Sequence, residues 1–500
     1  MGEQRVDPGT APDRIGKALL WLVVLLVLVH ATQISVDLLQ GAARQHLNVC
    51  PADLVLGIAW VVWLVRRVLR RDWSLPPFSI AAVAGAIWLA LSLIPALKGT
   101  AASQIEVSRT GLVKVVQFVE YFIIAYMMLA EVLKERRNRR LILCVLALVV
   151  VVTLCWGAVH YLQPDIPVMA VRGPGFDNRN TFAAFLALAV PFVWGQSLFS
   201  CRTGIWIGGA VLVLAGLAVC LTGGAFLALC LGVLAVAALR SRWALGGSAL
   251  LLSVFIIGLL PNLPRDNSAI LKDSLLLYRA HDPYDILTYE ENGTTRNPVA
   301  VARKREETRR AERLRKLLND EPLNSSELPT ESDFVWRWRQ SVLERQAAIN
   351  MISWSPIFGV GAGSYQNNVN RFYAAPAAHA EDSMEMESPL PKYHENLLEP
   401  GTLSAYLVWT ASAGIPFLLI LVCMALTVGV SGSRVIWSSA DLPTKGLGAG
   451  LVGTVVSLAV LGCFTNPLVR GIGMLLALLF ALSRAVGDEL ESGTVDKDAR

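Results

Sequence analysis

Residues 141–163 read LILCVLALVVVVTLCWGAVHYLQ, and this stretch decides the fold class. It contains no Asp, Glu, Lys or Arg, and its apolar side chains follow one another almost without interruption. A helix needs about 20 such residues to cross a hydrocarbon core of about 30 Å. The stretch therefore predicts a transmembrane helix rather than a helix on the surface of a soluble domain.

Apolar runs of this kind recur along the whole chain, which has 500 residues, of which 54% are hydrophobic and 17% charged. Because runs of about 17–25 residues match the bilayer thickness, we predict an all-α polytopic membrane protein with about twelve transmembrane helices. The predicted spans lie near residues 17–37, 51–66, 78–97, 112–133, 141–163, 180–199, 205–222, 224–239, 244–262, 404–430, 446–468 and 471–486. The first run lacks an obvious cleavage site, so we expect a retained helix rather than a signal peptide.

The distribution of Lys and Arg between the loops predicts the orientation. Positive residues cluster after the second and fourth spans: Arg66, Arg67, Arg70, Arg71, Lys134, Arg136, Arg137, Arg139 and Arg140. The short loops after odd-numbered spans carry few positive charges. Because loops rich in Lys and Arg stay in the cytoplasm, we expect both termini inside and the odd-numbered loops outside.

One polar segment, residues 263–403, interrupts the apolar pattern and lies outside by the same reasoning. Within it, the charged stretch 301–318 predicts a solvated helix, with binding of anionic headgroups or glycan as the alternative. Residues 331–356 suit an amphipathic helix lying on the membrane surface or on the spans. The predicted organisation is a cytoplasmic tail (1–16), spans one to nine (17–262), the large, partly helical outer loop (263–403), spans ten to twelve (404–486) and a second cytoplasmic tail (487–500).

The sequence lacks the signatures of several other classes of protein. Its eight cysteines include no CxxC pair and lie in or beside the spans, which favours neither a disulfide framework nor a zinc site. The glycine-rich stretch GVGAGSY, residues 359–365, has no Walker lysine after it, so we interpret it as a tight turn. We expect no metal, no cofactor and no nucleic-acid partner.

Three stretches resemble signatures of the O-antigen ligase and polymerase superfamily. The first, RGPGFDNRNTFAAFLALAVPF (172–192), resembles an arginine and glycine before an Asn-Pro-Asn-like turn and a helix, with Arg179 where relatives usually have proline. The second, RQAAINMISWSPIFGVGAGSY (345–365), resembles an amphipathic helix that runs into a Pro-x-x-Gly-x-Gly turn. The third, KYHENLLEPGTLSAYLVWTASAGIPFLLIL (392–421), is similar to a His-Asn segment before a helix with a Gly-Ile pair.

The resemblance implies a fold similar to the GT-C membrane glycosyltransferases, with the large outer loop between spans nine and ten. It also implies a reaction in which a glycan moves from a polyprenyl (undecaprenyl) diphosphate carrier to an acceptor hydroxyl. The acceptor is a lipid-attached sugar in the ligases and a growing glycan in the polymerases, and the sequence does not separate the two. The implied location is the bacterial inner membrane, in contact with membrane lipids, with the active site on the periplasmic side.

This reaction requires stabilisation of the departing diphosphate, a task that suits arginine because its guanidinium stays charged and grips phosphate oxygens by two parallel hydrogen bonds. Arg172 and Arg339 are the candidate catalytic arginines. The structural alternative for Arg172 is a snorkelling side chain that anchors a helix end. Which of Arg337, Arg339 and Arg345 faces the site stays open.

Four further residues are candidates for substrate binding: Asn178, Asn180, Arg179 and Arg345. The two asparagine amides can bond sugar hydroxyls or phosphate, although Asn180 also suits a helix N-cap.

The reaction also requires a base that removes a proton from the acceptor hydroxyl. Histidine suits this role because its ordinary pKa of about 6.5 lies near neutrality. His394 is the candidate, with its neighbour Glu395 as the alternative, and Glu395 separates His394 from Asn396, whereas the two residue types are adjacent in relatives.

Two other functions compete with the glycosyltransferase. A transporter or flippase for a lipid-linked glycan usually shows duplicated halves and charged or broken helices. This sequence shows no duplication, and its spans carry almost no charge apart from Lys114 and Glu120. A non-catalytic scaffold in polysaccharide assembly would not need arginines at the 171–180 turn.

Overall fold

A computed structural model describes residues 11–29, 36–37, 48–49, 51–71, 78–96, 111–163, 176, 179–220, 222–259, 345–369, 372, 404–439, 441–465 and 472–491. The helices, in chain order, are α1 (Ala11–Val29), α2 (Pro51–Arg70), α3 (Phe78–Leu91), α4 (Leu93–Ala96), α5 (Gly111–Val132), α6 (Arg136–Leu162), α7 (Arg179–Leu198), α8 (Thr203–Val219), α9 (Gly223–Arg240), α10 (Arg242–Val254), α11 (345–354), α12 (Tyr365–Val369), α13 (Ala405–Ser438), α14 (Leu442–Gly462) and α15 (Ile472–Glu491). Two short strands, β1 (Val36–Asp37) and β2 (Asn48–Val49), pair antiparallel with Val36 opposite Val49.

A described helix overlaps each apolar segment that the sequence predicts, and α11 and α12 lie in the polar segment 263–403. By length and composition, six of the described helices could cross a membrane: α5, α6, α7, α9, α13 and α14. The helical, membrane-type architecture is therefore confirmed at this level, while twelve spans, their GT-C-like arrangement and the position of the large loop stay predictions.

Three other apolar helical segments are shorter: Ile80–Leu91, Thr203–Val219 and Arg242–Ile257. At 1.5 Å per residue, a 17-residue helix such as α8 reaches only about 26 Å, less than a hydrocarbon core of about 30 Å. These segments lie where the sequence predicts the third, seventh and ninth spans, and α10 continues beyond Val254 as one π-helical turn, Phe255–Leu259.

Local sequence signals set several of the helix starts. Pro51 opens α2, where its missing N–H removes no helical hydrogen bond, and Asp53 in the first turn suits the positive end of the helix dipole. At α14 the N-cap residue is Asp441 and Pro443 follows in the first turn, while the Asp441 carboxylate accepts its 2.8 Å hydrogen bond from the Thr444 hydroxyl and not from a backbone amide.

The chain divides into two compact units. Unit 1 comprises residues 1–86, 116–271 and 420–500, and unit 2 comprises residues 87–115 and 272–419. In unit 1, α7 is the most buried of the six long apolar helices, with 89% of its apolar window covered. It packs against α8, α9 and α14, and its side chains Phe182, Phe185 and Trp194 are among the largest fully buried ones.

One end of unit 1 carries the arginines that the sequence predicts to be cytoplasmic. Arg66 donates to the Glu131 carboxylate at 2.8 Å, which joins the end of α2 to the end of α5. Arg136 pairs with Asp441 at 2.7 Å, and Arg139 pairs with Glu489 of α15. The structure thus brings the two predicted arginine clusters to the same end of the unit, as one common side of the membrane requires.

Candidate functional site

Several of the predicted site residues lie outside the described residues: Arg172, Asn178, Arg339, His394 and the alternative base Glu395. Arg179 and Asn180 are described in unit 1, and Arg345 is described in unit 2. Their roles as substrate-binding residues stay predictions, and the structure supplies the surroundings of each.

Arg179 and Asn180 form the start of α7. The helix begins at Arg179, so Asn180 is its second residue and lies inside the helix, not at the N-cap position that the sequence suggested. Asn180 is exposed and Arg179 is half-buried. The amide groups at a helix start and the Arg179 guanidinium together make this end of α7 attractive to anions.

Aromatic packing holds the start of α7 in place. Phe176 is buried, and its ring lies 5.5 Å from that of Phe182 and 5.4 Å from that of Phe185. This contact resembles a hydrophobic staple, in which an apolar residue before a helix packs on its first turns and sets the direction of entry. A Cβ added at Gly157 of α6 would lie 2.6 Å from the Phe182 ring, so the two helices meet closely here.

The turn between α8 and α9 also lies against the start of α7. The Cys220 thiol donates to the Ala183 carbonyl at 4.0 Å. A Cβ added at Gly224 would lie 2.2 Å from Phe464, which places the end of α14 beside the start of α9. This end of unit 1 therefore brings together loops that the sequence predicts to be on the outer side.

His160, in the last turn of α6, is a residue whose surroundings the sequence did not predict. Its ring packs 5.5 Å from that of Trp156, and its Nδ1 atom is buried with no hydrogen-bond partner among the described residues. It lies one turn beyond Gly157, which contacts the α7 start. Its place near the end of an apolar run is the signal that the sequence offers for this residue.

In unit 2, α11 and α12 enclose a small core. Fully buried Ala347, Ala348 and Met351 on one face of α11 pack against Tyr365 and Phe372. Asn350 donates to the Phe372 carbonyl at 3.0 Å and accepts a 3.2 Å hydrogen bond from Gln346. Arg345 begins α11 and is half-buried. The amphipathic helix predicted over 331–356 is thus confirmed for 345–354, the part that the structure describes.

The glycine-rich stretch after α11 forms the predicted tight turn. Gly359, Gly361 and Gly363 all have positive φ (66°, 110° and 71°), a backbone region that favours glycine. The Val360 amide donates to the Ala411 carbonyl at 2.8 Å, and the Gly361 amide donates to the Ser412 carbonyl at 2.9 Å. The turn is therefore hydrogen-bonded to α13, about fifty residues further along the chain.

These acceptors are available because α13 breaks at Gly414, where φ is 84° and ψ is 169°. Pro416 has no N–H with which to bond Ser412, four residues earlier. The Ile415 amide donates to the Pro356 carbonyl at 2.8 Å instead of to Ala411. The Ala411 and Ser412 carbonyls and the Ile415 amide, which the break releases, thus bond backbone groups of the 356–364 turn, as a low-dielectric setting requires.

Trp88 completes this arrangement within unit 2. Its indole N–H donates to the Ala413 carbonyl at 2.9 Å, and its ring stacks on Phe358 with the centroids 5.4 Å apart. In the sequence, the glycine turn and the Gly-Ile pair are two separate signatures about fifty residues apart. The structure joins them, and the Gly-x-Pro pattern at 414–416 is the signal from which a break could have been predicted.

Among the described residues, no group of three or more His, Cys, Asp or Glu side chains is placed to hold a metal ion.

Comparison with known proteins finds no matching family model and no curated protein with significant similarity to the chain.

Proposed function

We propose that this protein is a membrane glycosyltransferase, similar to O-antigen ligases, that moves a glycan from a polyprenyl diphosphate carrier to an acceptor hydroxyl. The observation that carries the proposal is the hydrogen-bonded pairing of the 356–364 turn with the break at Gly414. Each of these two segments resembles a superfamily signature by its sequence alone. Their direct contact supports the interpretation that they belong to one structural element and did not match by chance.

The charge at the helix starts supports the same function. In the reaction, the acceptor oxygen attacks the anomeric carbon, the bond to the diphosphate oxygen breaks, and the carrier leaves with the added negative charge. Arg179 and Arg345 stand at the starts of α7 and α11, where the helix dipole adds to their positive charge. Arg172 and Arg339 are the proposed catalytic arginines, and His394 or Glu395 takes the acceptor proton.

The alternative function is a transporter or flippase, a class of protein in which broken helices such as α13 are common. In transporters, the backbone carbonyls at a helix break typically coordinate the cargo or its coupling ion. Here the carbonyls of Ala411, Ser412 and Ala413 accept hydrogen bonds from the chain's own turn and from Trp88. This use of the break favours a structural role for it, and so supports the glycosyltransferase over the transporter.

The mechanism is tested by Arg172→Ala, with Arg434→Ala as the matched control, because Arg434 is exposed on α13 in a predicted cytoplasmic loop. Loss of a guanidinium from a site that stabilises developing charge costs on the order of 100-fold or more in rate. We expect transfer from a polyprenyl-diphosphate glycan to fall by that factor for Arg172→Ala alone, at equal expression. Unchanged transfer would remove Arg172 from the mechanism.

The choice between ligase and polymerase is tested by lipid analysis of a deletion strain. A ligase predicts that long glycan accumulates on the carrier and is missing from its final acceptor. A polymerase of the same superfamily predicts single repeat units instead. Accumulation of carrier-linked glycan on the cytoplasmic side only would support the flippase and contradict both.

A further inference from the structure

A long apolar groove runs between α6, α7 and α8 in unit 1. Its volume is about 780 Å³, within the range of about 300–1,000 Å³ typical of ligand sites. Phe192, Val193 and Gln196 of α7 form its floor. The walls come from α6 between Leu143 and Ala158 and from α8 between Ile205 and Ala215.

The groove has the length and surface of a site for one hydrocarbon chain. At 1.5 Å per residue, its walls run for about 22 Å along α6 and about 15 Å along α8, parallel to the helices. Val151 and Val211, which line the groove, are exposed, so the groove opens at an apolar part of the helix surface. Gly208 on α8 leaves open space where another residue would place its side chain.

Only one end of the groove is polar. Gln196 lies there, and its Nε2 atom is buried with no hydrogen-bond partner among the described residues. An amide N–H buried in this way requires an acceptor. The neighbouring Ser197 hydroxyl is already satisfied, since it donates to the Val193 carbonyl at 3.0 Å.

Two exposed arginines flank the same end. Arg140 lies one turn before Leu143 on α6, and Arg202 lies one turn before Ile205 at the start of α8. Within the part of the chain that the structure describes, neither forms an ion pair. This is also the end of unit 1 at which Arg136 and Arg139 meet their carboxylates.

We propose that the groove binds an anionic phospholipid. One acyl chain lies along the groove, an ester carbonyl of the lipid accepts a hydrogen bond from Gln196, and the headgroup phosphate lies between Arg140 and Arg202. Basic residues at a membrane surface attract anionic lipids in this way. A neutral lipid fits the apolar walls equally well but leaves both guanidinium groups without an anion, which is why an anionic headgroup is the proposed ligand.

The proposal is tested on the full chain in detergent by native mass spectrometry, with phosphatidylglycerol and phosphatidylcholine of the same acyl chains as probes. We expect at least about tenfold tighter binding of phosphatidylglycerol, the factor that two cationic contacts supply. The double variant Arg140→Gln/Arg202→Gln removes this preference. Equal binding of the two lipids to the unaltered chain overturns the proposal.

Gly208→Trp tests the groove itself, because the indole fills the space over α8. Gly247→Trp is the matched control, since Gly247 also faces open space but lies on α10, away from the groove. We expect Gly208→Trp to lose the bound phosphatidylglycerol and Gly247→Trp to retain it. Equal retention by both variants contradicts the proposal, and displacement of phosphatidylglycerol by equimolar polyprenyl phosphate reassigns the groove to the carrier.

A second measurement needs no substitution, in case Gly208→Trp does not fold. Cys144 and Cys155 line the groove, about three helical turns apart, and Cys423 is exposed on α13 outside it. Phosphatidylglycerol should slow the modification of Cys144 and Cys155 by an apolar maleimide, read site by site by mass spectrometry. Cys423 should be unaffected, and equal slowing of all three would contradict specific binding.

Discussion

Gly414 illustrates how one residue decides the path of a helix in this protein. Its φ of 84° is strained for any residue with a side chain, and a Cβ there would lie 1.7 Å from the Ile357 carbonyl oxygen. Pro416 acts at the same place by removing one backbone donor. The two residues together release the carbonyls that bind the 356–364 turn. Position 414 therefore requires glycine for two reasons: the positive φ and the lack of room for a Cβ atom.

We accordingly predict that Gly414→Ala destabilises the protein by about 3 kcal/mol or more, since strain and overlap add. Gly429→Ala is the control on the same helix, because a Cβ at that position meets only ordinary contact, 3.6 Å from Val455. Thermal unfolding in detergent, followed by size-exclusion chromatography, measures both variants. Equal melting temperatures would mean that the break at Gly414 is not a feature of the folded protein.

At the scale of elements, small residues let three helices of unit 1 approach closely. A Cβ at Gly195 of α7 would lie 2.5 Å from the backbone nitrogen of Gly450 in α14. Two hydrogen bonds cross between these helices. The Thr454 hydroxyl donates to the Leu188 carbonyl of α7 at 3.0 Å, and the Ser457 hydroxyl donates to the Ala228 carbonyl of α9 at 2.9 Å. Small residues with interhelical hydrogen bonds are the usual means by which helices associate in lipid, where the hydrophobic effect does not drive them together.

This contact predicts that Gly450→Leu costs about 1–3 kcal/mol, because the added side chain must push α7 and α14 apart. Gly246→Leu on α10 adds the same side chain where nothing lies within 4 Å of the new Cβ, and we expect it to be neutral. Unfolding in mixed micelles with increasing dodecyl sulfate gives both free energies. A loss of equal size in the two variants would show that leucine acts through something other than this helix contact.

At the scale of the whole molecule, the arginine clusters predict which end of unit 1 faces the cytoplasm. α7 provides a direct test, since Asn180 is exposed at its start and Cys201 is exposed just after its end. We predict that a membrane-impermeant maleimide added to intact cells modifies Asn180→Cys but not Cys201. Permeabilised cells are the control, in which both cysteines should react. Modification of Cys201 alone in intact cells would show that the opposite end of α7 faces the cytoplasm.

The sequence and the structure agree most closely where the signal is local. The run at 141–163 and the other apolar stretches are sufficient to predict where helices form, because crossing a bilayer imposes a length and a composition on each segment independently. The tight turn at 359–365 is likewise predictable from its glycines. Arg172, Arg339 and His394 stay predictions, since they lie outside the described residues.

Other features depend on residues distant in the chain. No local pattern indicates that the amides of Val360 and Gly361 would bond the carbonyls of Ala411 and Ser412, or that Trp88 would cap Ala413. The groove beside Gln196 likewise exists only because α6 and α8 both pack on α7 and leave space between them. Helices form because backbone N–H and C=O groups in lipid need hydrogen-bond partners, and a helix supplies those partners from within the same segment of sequence. The partners at the break and the shape of the groove follow from how finished helices fit together, which only the tertiary structure decides.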